Sequence, residues 1–207
     1  IVFRELLVQN LNRDPAIQVV ATAKDPFEAR DAILAYKPDV MTLDVELPRM
    51  SGIEFLRKLM PQYPLPVVVI SSLSDKVFDA LNAGAVDFVA KPAVSSRAQL
   101  EEFIRNELLV KIKIASTAKI SNIKKTVMKQ EMQSLSAKGR DLIVAIGAST
   151  GGTEAIFDVV KEYGPDIPGI VLVQHMPPGF TEMYAKRLNA QCRVQVKEAR
   201  TGDRVLP

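Results

Sequence analysis

The chain has 207 residues, of which 25% are charged and 47% are apolar, and its formal net charge is +3. This length predicts one or two domains, and the ordinary globular composition excludes a disordered chain, a collagen-like repeat and a disulfide-rich scaffold. The longest apolar runs, residues 66–70 and 169–173, are far shorter than the ~20 residues that span a bilayer, so we expect no membrane insertion. The single Cys192 and the single His175 cannot form a disulfide or a His/Cys zinc site, a pattern typical of cytoplasmic proteins.

Short apolar runs alternate with helix-period segments over the first half of the chain, which predicts a parallel α/β sheet. The predicted helices cover residues 3–11, 26–37, 52–60, 74–83 and 97–109. The predicted strands cover residues 17–21, 39–43, 67–71 and 87–90. A doubly wound domain begins with a central strand, whereas this pattern begins with a helix, so we expect the first strand to be missing.

A basic segment follows at residues 111–140, with eight Lys or Arg against the single acid Glu131 and no aromatic residue. Nucleic-acid sites interleave basic residues with aromatic or polar readers, so the segment is interpreted as a solvated linker. A functional basic patch stays open as the alternative. One amphipathic helix is predicted near residues 122–134.

The α/β pattern then restarts in the last third of the chain. The predicted strands are residues 142–147, 169–174 and 193–198, and the predicted helices are residues 152–161 and 179–189. Because this alternation is unfinished, we expect a C-terminal part of the domain to be missing. The sequence therefore predicts a first domain at residues 1–111, a linker at 112–139 and a second domain at 140–207.

Polar side chains stand at the carboxyl ends of three strands predicted in the first domain. Asp44, the pair Ser71 and Ser72, and Lys91 each follow an apolar run. In an open parallel sheet these ends form one edge, where ligands bind. A carboxylate, a hydroxyl and an ammonium suit a phosphoryl group, and a simple ion pair between Asp44 and Lys91 is the alternative.

Three motifs in this region resemble the receiver domains of bacterial two-component response regulators. They read Thr-Leu-Asp-Val-Glu-Leu-Pro, Val-Val-Ile-Ser-Ser and Asp-Phe-Val-Ala-Lys-Pro, and the resemblance covers residues 1–109. It implies a flavodoxin-like doubly wound fold with Asp44 as the phospho-accepting aspartate, and with Ser71, Phe88 and Lys91 as phosphate-sensing and switch residues. It also implies Mg²⁺ for phosphorylation, held by Asp44 and by two further acids that have no equivalent in this sequence.

A G-x-S-x-G pattern at residues 147–151 places Ser149 on a tight turn between a predicted strand and a predicted helix. Free N–H groups at the helix start can stabilise an oxyanion, and a phosphate cradle is disfavoured because no P-loop lysine follows. His175 follows the next predicted strand, 26 residues after Ser149. Neighbouring parallel strands lie about 4.8 Å apart, so both side chains are expected at one sheet edge, within reach of a hydrogen bond.

Two further motifs closely resemble the catalytic domain of chemotaxis protein-glutamate methylesterases, the CheB family. They read Ile-Gly-Ala-Ser-Thr-Gly-Gly-Thr-Glu-Ala-Ile and Gln-His-Met-Pro-Pro-Gly-Phe-Thr. With the receiver-like part in front, the resemblance covers the whole chain. It implies Ser149 as nucleophile, His175 as general base and Thr150 as a contributor to the oxyanion site, in a second parallel, Rossmann-like α/β domain.

The resemblance implies a phosphorylation-regulated cytoplasmic hydrolase that demethylates glutamyl methyl esters, and deamidates glutamines, on chemoreceptors. A chemotaxis histidine kinase would supply the phosphoryl group, and hydrolysis would need no cofactor. Two alternatives stay open: a response regulator with a nucleic-acid-binding output, disfavoured because no recognition-helix pattern is present, and a non-catalytic module.

The third catalytic residue is not expected within this sequence. Asp203 lies in a predicted turn before a strand and is interpreted as structural. Cys192, which has no base of its own, is interpreted as a packing residue. The CheB resemblance implies that the catalytic aspartate lies beyond residue 207, and we therefore expect the chain as it stands to be inactive.

Overall fold

The computed structural model describes residues 2–72, 76–92, 96–118, 142–164 and 167–206, in two compact units that divide between residues 122 and 123. The described helices of the first unit are α1 (Val2–Leu11), α2 (Pro26–Tyr36), α3 (Gly52–Leu59), α4 (Val77–Asn82), α5 (Arg97–Phe103) and α6 (Leu109–Ser116). Its described strands are β1 (Met41–Asp44), β2 (Val67–Ser71) and β3 (Asp87–Ala90). The helix predicted near residues 122–134 lies outside the described residues.

The three strands of the first unit form one parallel sheet in the order β1, β2, β3. The register aligns Asp44 with Ile70 and Ile70 with Val89, so the carboxyl ends of the strands are level. One face packs on α1, α5 and α6 through a buried cluster that includes Leu7, Leu11, Val68, Ile70, Val89, Leu100, Ile104, Leu108 and Ile112. From β3, the Phe88 ring meets Phe78 of α4 edge-on, at 6.5 Å between ring centres. Helices thus surround the sheet, which confirms the predicted doubly wound architecture.

Local sequence explains where α2 begins and ends. The Asp25 carboxylate accepts hydrogen bonds from the backbone N–H groups of Phe27 and Glu28, both at 3.0 Å, and Pro26 occupies the first helical position. Backbone N–H groups in the first turn of a helix have no carbonyl partner within the helix. Asp25 binds two of them, and Pro26 has no N–H group that needs a partner. The helix ends at Lys37, which adopts a left-handed conformation with φ 47° immediately before Pro38.

Two predicted strands, residues 17–21 and 193–198, are wrong, because both segments are irregular. A strand needs a neighbour that completes its backbone hydrogen bonds, and no strand in the described ranges pairs with either segment. An asparagine seven residues earlier holds each segment instead. The Asn12 side-chain oxygen accepts from the Val19 N–H at 2.8 Å, and that of Asn189 accepts from the Val196 N–H at 2.9 Å.

The last described helical segment of the first unit continues beyond residue 109, where the sequence pattern predicts its end. Here α5 passes through a π-helical turn, Ile104–Leu108, into α6. Lys111 of α6 is buried, and its ammonium donates to Asp87 Oδ1 at 3.1 Å and to the Phe88 carbonyl at 2.6 Å. The interpretation of the basic segment as solvated is therefore wrong at Lys111, which belongs to the interior of the first unit.

We expect Lys111→Met to lower the free energy of unfolding by about 3–5 kcal/mol, because it leaves the Asp87 carboxylate buried without its counter-ion. Urea denaturation followed by far-UV circular dichroism measures this loss. Lys113→Met is the matched control, since Lys113 pairs with Asp14 at the surface and 46% of its side chain is exposed. Surface pairs contribute about 0–1 kcal/mol. Equal losses in the two variants would contradict a special role for the buried pair.

The described part of the second unit contains one strand-helix-strand-helix sequence. Its described elements are β4 (Ile143–Ala148), α7 (Gly152–Val160), β5 (Gly169–Gln174) and α8 (Phe180–Gln191). β4 and β5 pair in parallel, with Ala148 opposite Gln174 at their carboxyl ends. This arrangement confirms the predicted parallel α/β repeat. Among the described residues, the helices are all too short or too polar to cross a membrane.

Candidate functional site

The first candidate site is the carboxyl edge of the β1–β2–β3 sheet, which we call the first edge. It carries Asp44 at the end of β1, Ser71 at the end of β2 and Lys91 directly after β3. Lys91 Nζ lies 2.9 Å from Asp44 Oδ2, and the Lys91 backbone N–H donates to the Ser71 carbonyl at 2.8 Å. The ion pair left open by the sequence is therefore present, and the strand ends bring the acid, the hydroxyl residue and the lysine to one edge.

The loop after β1 is built closely around Asp44. The Glu46 N–H donates to Asp44 Oδ1 at 2.9 Å, which fixes the carboxylate against its own loop. Ser72 donates in turn to the Glu46 carboxylate at 2.7 Å. Gly52 begins α3 so close to β1 that an added Cβ would lie 2.2 Å from the Asp44 carbonyl oxygen. Only glycine fits there, and α3 therefore starts directly beside the candidate phosphoryl acceptor.

Phe88 lies inside the first unit, with 1% of its surface exposed. Besides its contact with Phe78, its ring lies 5.2 Å from the Lys111 ammonium. Lys111 also holds the Phe88 carbonyl, as described above. Sequence reasoning missed this connection, because a lysine at the start of a basic run carries no signal of burial.

The second candidate site is the carboxyl edge of β4 and β5, which we call the second edge. Ser149 directly follows Ala148 and His175 directly follows Gln174, and these two strand ends are paired. The ladder extends one step further, since the His175 N–H lies 3.4 Å from the Ala148 carbonyl oxygen. Both Ser149 and His175 are exposed. The structure therefore places the two side chains on neighbouring strand ends, open to a substrate.

The hydrogen bond expected between Ser149 and His175 is not present within the described part of the chain. There, the hydrogen bonds of His175 are made by its backbone, to Ala148 and from Gln174. Asp203 lies elsewhere, where Lys197 and the Arg200 backbone hold its carboxylate and lower its pKa, with the Lys197 hydrogen bond the largest cause. These contacts support the structural interpretation of Asp203.

Each strand of the second unit leads into its helix through the same kind of turn. The Gly152 N–H donates to the Ser149 carbonyl at 2.7 Å, and Gly151 between them has φ 76° and ψ −8°. This is the geometry of a type II turn, which favours glycine at its third position and puts Thr150 at its second. The turn before α8 repeats this pattern, with the Phe180 N–H bonded to the Pro177 carbonyl and φ 84° at Gly179. Thr150 thus lies next to Ser149 at the start of α7.

The helices behind the second edge are joined by polar contacts in the interior. Tyr184 of α8 donates its hydroxyl to the Thr153 carbonyl of α7 at 2.7 Å, and burial raises the pKa of this phenol. Arg187 lies 2.8 Å from Glu154 and over the Phe157 ring. Burial also raises the pKa of the Cys192 thiol, which argues against a thiolate nucleophile and agrees with its interpretation as a packing residue.

Gln174 is the residue of the second edge that sequence reasoning missed. Its side-chain amide donates to the Ser149 carbonyl at 2.9 Å and to the His175 carbonyl at 3.2 Å. A glutamine at the end of an apolar strand is compatible with many roles, so no sequence signal indicates that it turns back over the neighbouring loop.

Comparison with known proteins assigns the two units to two families. The response regulator receiver domain family matches residues 1–105, and the family described as CheB methylesterase matches residues 144–207. The protein-glutamate methylesterase/protein-glutamine glutaminase 2 of Syntrophomonas wolfei is 60% identical over 99% of this chain, and the corresponding protein of Syntrophotalea carbinolica is 51% identical over 99%. The chain spans 60% of the length of each of these relatives.

A solved structure agrees with this assignment for the first unit. The response regulator domain of Thermotoga maritima CheB matches 56% of this chain and 88% of its own, with 37% sequence identity and a TM-score of 0.50. Receiver domains bind Mg²⁺ when they are phosphorylated, so the match implies this ion. However, within the described ranges no three His, Cys, Asp or Glu side chains cluster closely enough to hold a metal. Asp44 by itself does not complete a Mg²⁺ site.

Proposed function

The chain belongs to the CheB methylesterase family, with a receiver domain in front of the methylesterase domain, and on this premise we propose that it demethylates glutamyl methyl esters of chemoreceptors. The same site would deamidate selected glutamine side chains, since the name of the Syntrophomonas wolfei relative includes both activities. The protein would act in the cytoplasm on a protein substrate. The observation that carries the proposal is the pairing of Ala148 with Gln174, which puts Ser149 and His175 on adjacent strand ends.

In the proposed reaction, His175 takes the proton of the Ser149 hydroxyl while the serine oxygen attacks the ester carbonyl carbon. The carbon–methoxy bond then breaks, and methanol leaves with the proton that His175 returns. Water, activated by the same histidine, attacks the acyl-enzyme and releases the glutamate carboxylate and Ser149. N–H groups at the start of α7, beside Thr150, would stabilise the oxyanion.

The first edge would control this activity. We place the phosphoryl acceptor at Asp44, with Lys91 as the cation that binds the phosphoryl oxygens and Ser71 as the switch hydroxyl. The 2.9 Å ion pair between Lys91 and Asp44 supports this assignment, because the ammonium already lies where new negative charge would develop. Phe88, buried between α4 and Lys111, is the proposed switch aromatic. A histidine kinase is the proposed phosphodonor.

We expect Asp44→Asn in the full-length protein to abolish stimulation of methanol release by a small phosphodonor and to keep the unstimulated rate. An amide does not accept a stable phosphoryl group, and the second edge is unchanged. The measurement is release of labelled methanol from methylated chemoreceptors, with and without an acyl phosphate. Asp31→Asn is the control, because Asp31 is an exposed residue of α2 that pairs with its neighbour Arg30. Continued stimulation of the Asp44 variant would show that control runs through another residue.

A further inference from the structure

The side chain of Gln174 joins the main chains of the two proposed catalytic residues. It is the last residue of β5, and its Nε2 donates to the carbonyl of Ser149 on one loop and to that of His175 on the next. The Ser149 carbonyl also accepts from the Gly152 N–H at 2.7 Å, so two donors fix this carbonyl. One amide therefore links the two loops whose spacing sets the distance between nucleophile and base.

The space around the Gln174 amide is closely fitted. Gly152 at the start of α7 lies against it, and a Cβ added there would lie 2.3 Å from Gln174 Oε1 and 2.5 Å from Ala148 Cβ. The side chain thus lies directly against the end of β4 and the start of α7. Glycine at position 152 is what lets the amide reach the Ser149 carbonyl.

This arrangement leaves one polar atom of Gln174 without compensation. Its Oε1 is buried and has no hydrogen-bond partner among the described residues. A buried acceptor without a partner destabilises the folded state, whereas an apolar side chain of the same length would avoid that loss. The two carbonyls that Nε2 binds belong to exposed residues at the open edge of the sheet. Fold stability alone therefore does not account for glutamine at this position.

We propose that Gln174 is a positioning residue, which holds the Ser149 and His175 main chains in the relative placement that proton transfer requires. The inference rests on the proposed function, since it assigns a role within the same site. The Nε2 group donates to two main-chain carbonyls, so the amide acts through the loops that carry the reacting atoms. Without it, each loop adjusts independently, and a displacement of about 1 Å between reacting groups lowers a rate about 10²-fold.

The test uses Gln174→Met and Gln174→Glu in the full-length protein, with release of labelled methanol from methylated chemoreceptors as the assay. Methionine keeps the length and removes both donors, and glutamate turns a carboxylate oxygen toward two carbonyls. We expect each variant to lower kcat about 10²-fold, and we expect Gln174→Met to leave KM unchanged and to have a Tm equal to or higher than that of the unsubstituted protein. Gln191→Met is the matched control, because Gln191 is an exposed residue at the end of α8. Its kcat is expected to equal that of the unsubstituted protein.

The split between kcat, KM and Tm separates positioning from a merely structural role. Wild-type kcat in Gln174→Met would overturn the inference, and so would a loss of kcat that parallels a loss of Tm. The Ser149→Ala variant, assayed beside these, separates the two proposals. If Ser149→Ala is inactive and Gln174→Met is fully active, only the positioning role fails. If Ser149→Ala keeps its activity, the proposed function fails and the inference with it.

Discussion

Ser149→Ala in the full-length protein is expected to lower the rate of methanol release from methylated chemoreceptors by about 10⁴–10⁶-fold, the usual effect of removing a catalytic nucleophile. Alanine keeps the backbone of the turn and removes only the hydroxyl, so the fold of the second unit is expected to persist. Phosphorylation of Asp44 is expected to be unchanged, because Asp44 lies in the other unit. Incorporation of labelled phosphate and release of labelled methanol, measured on the same sample, check both statements.

Ser116→Ala is the control for this substitution. Ser116 is exposed at the end of α6, and its hydroxyl donates to the Lys113 carbonyl within its own helix. We expect this variant to release methanol at the unsubstituted rate. Near-normal release by Ser149→Ala would contradict the assignment of the nucleophile, whatever the control shows.

The second large effect concerns Ser149 and His175 acting together as nucleophile and base. We expect His175→Ala to lower the rate by about 10⁴–10⁶-fold as well, and the Ser149→Ala/His175→Ala double variant to be no slower than the slower single variant. A base that acts only on one serine has nothing left to activate once that serine is removed. The two losses therefore do not multiply.

Steady-state methanol release by the two single variants and the double variant forms a complete double-mutant cycle. Multiplicative losses would mean that Ser149 and His175 contribute through separate steps. A loss of less than about tenfold in His175→Ala would mean that another group takes the proton, since a positioned general base contributes about 10²–10⁴-fold. Circular dichroism of each variant checks that the second unit is folded.

The paired strands could be predicted from sequence because their signal is local. The runs that become β1, β2, β3, β4 and β5 are rich in β-branched and other apolar residues, with turn or helix signals at their ends. Since all are parallel, each carboxyl end falls at one edge of its sheet. This geometry alone brings Asp44 near Lys91 and Ser149 near His175, which is why the candidate sites could be predicted from the order of the residues.

The segment at residues 17–21 is also mainly apolar, and the segment at 193–198 alternates valine with polar residues, but neither forms a strand. Whether an extended run becomes a strand depends on a partner strand, which is a property of the whole sheet and not of the run. Burial of Lys111 could not be predicted for a related reason. The ammonium needs Asp87 and the Phe88 carbonyl, which are more than 20 residues away in sequence, and helix periodicity does not indicate what lies across the interface.

The direction of the Gln174 side chain is the third feature that the sequence does not determine. Strand alternation tells which face of the sheet it lies on, but the target of its amide depends on the turn at Ser149 and on the absence of a side chain at Gly152. Both conditions are set by the neighbouring βα loop. Contacts between loops are therefore the part of such a site that must be seen in the structure.

Two hydrogen bonds described above have a consequence for the order of events in folding: Asn12 accepts one from the Val19 N–H, and Asn189 accepts the other from the Val196 N–H. Each joins positions only seven residues apart, so the conformational entropy lost in closing the loop is small compared with that of a strand pairing across a helix. We therefore expect both bonds to form early, while the chain is still searching for its long-range contacts. Each bond would then fix the irregular segment that follows its helix before any sheet is assembled, so that the course of this segment does not depend on a partner strand.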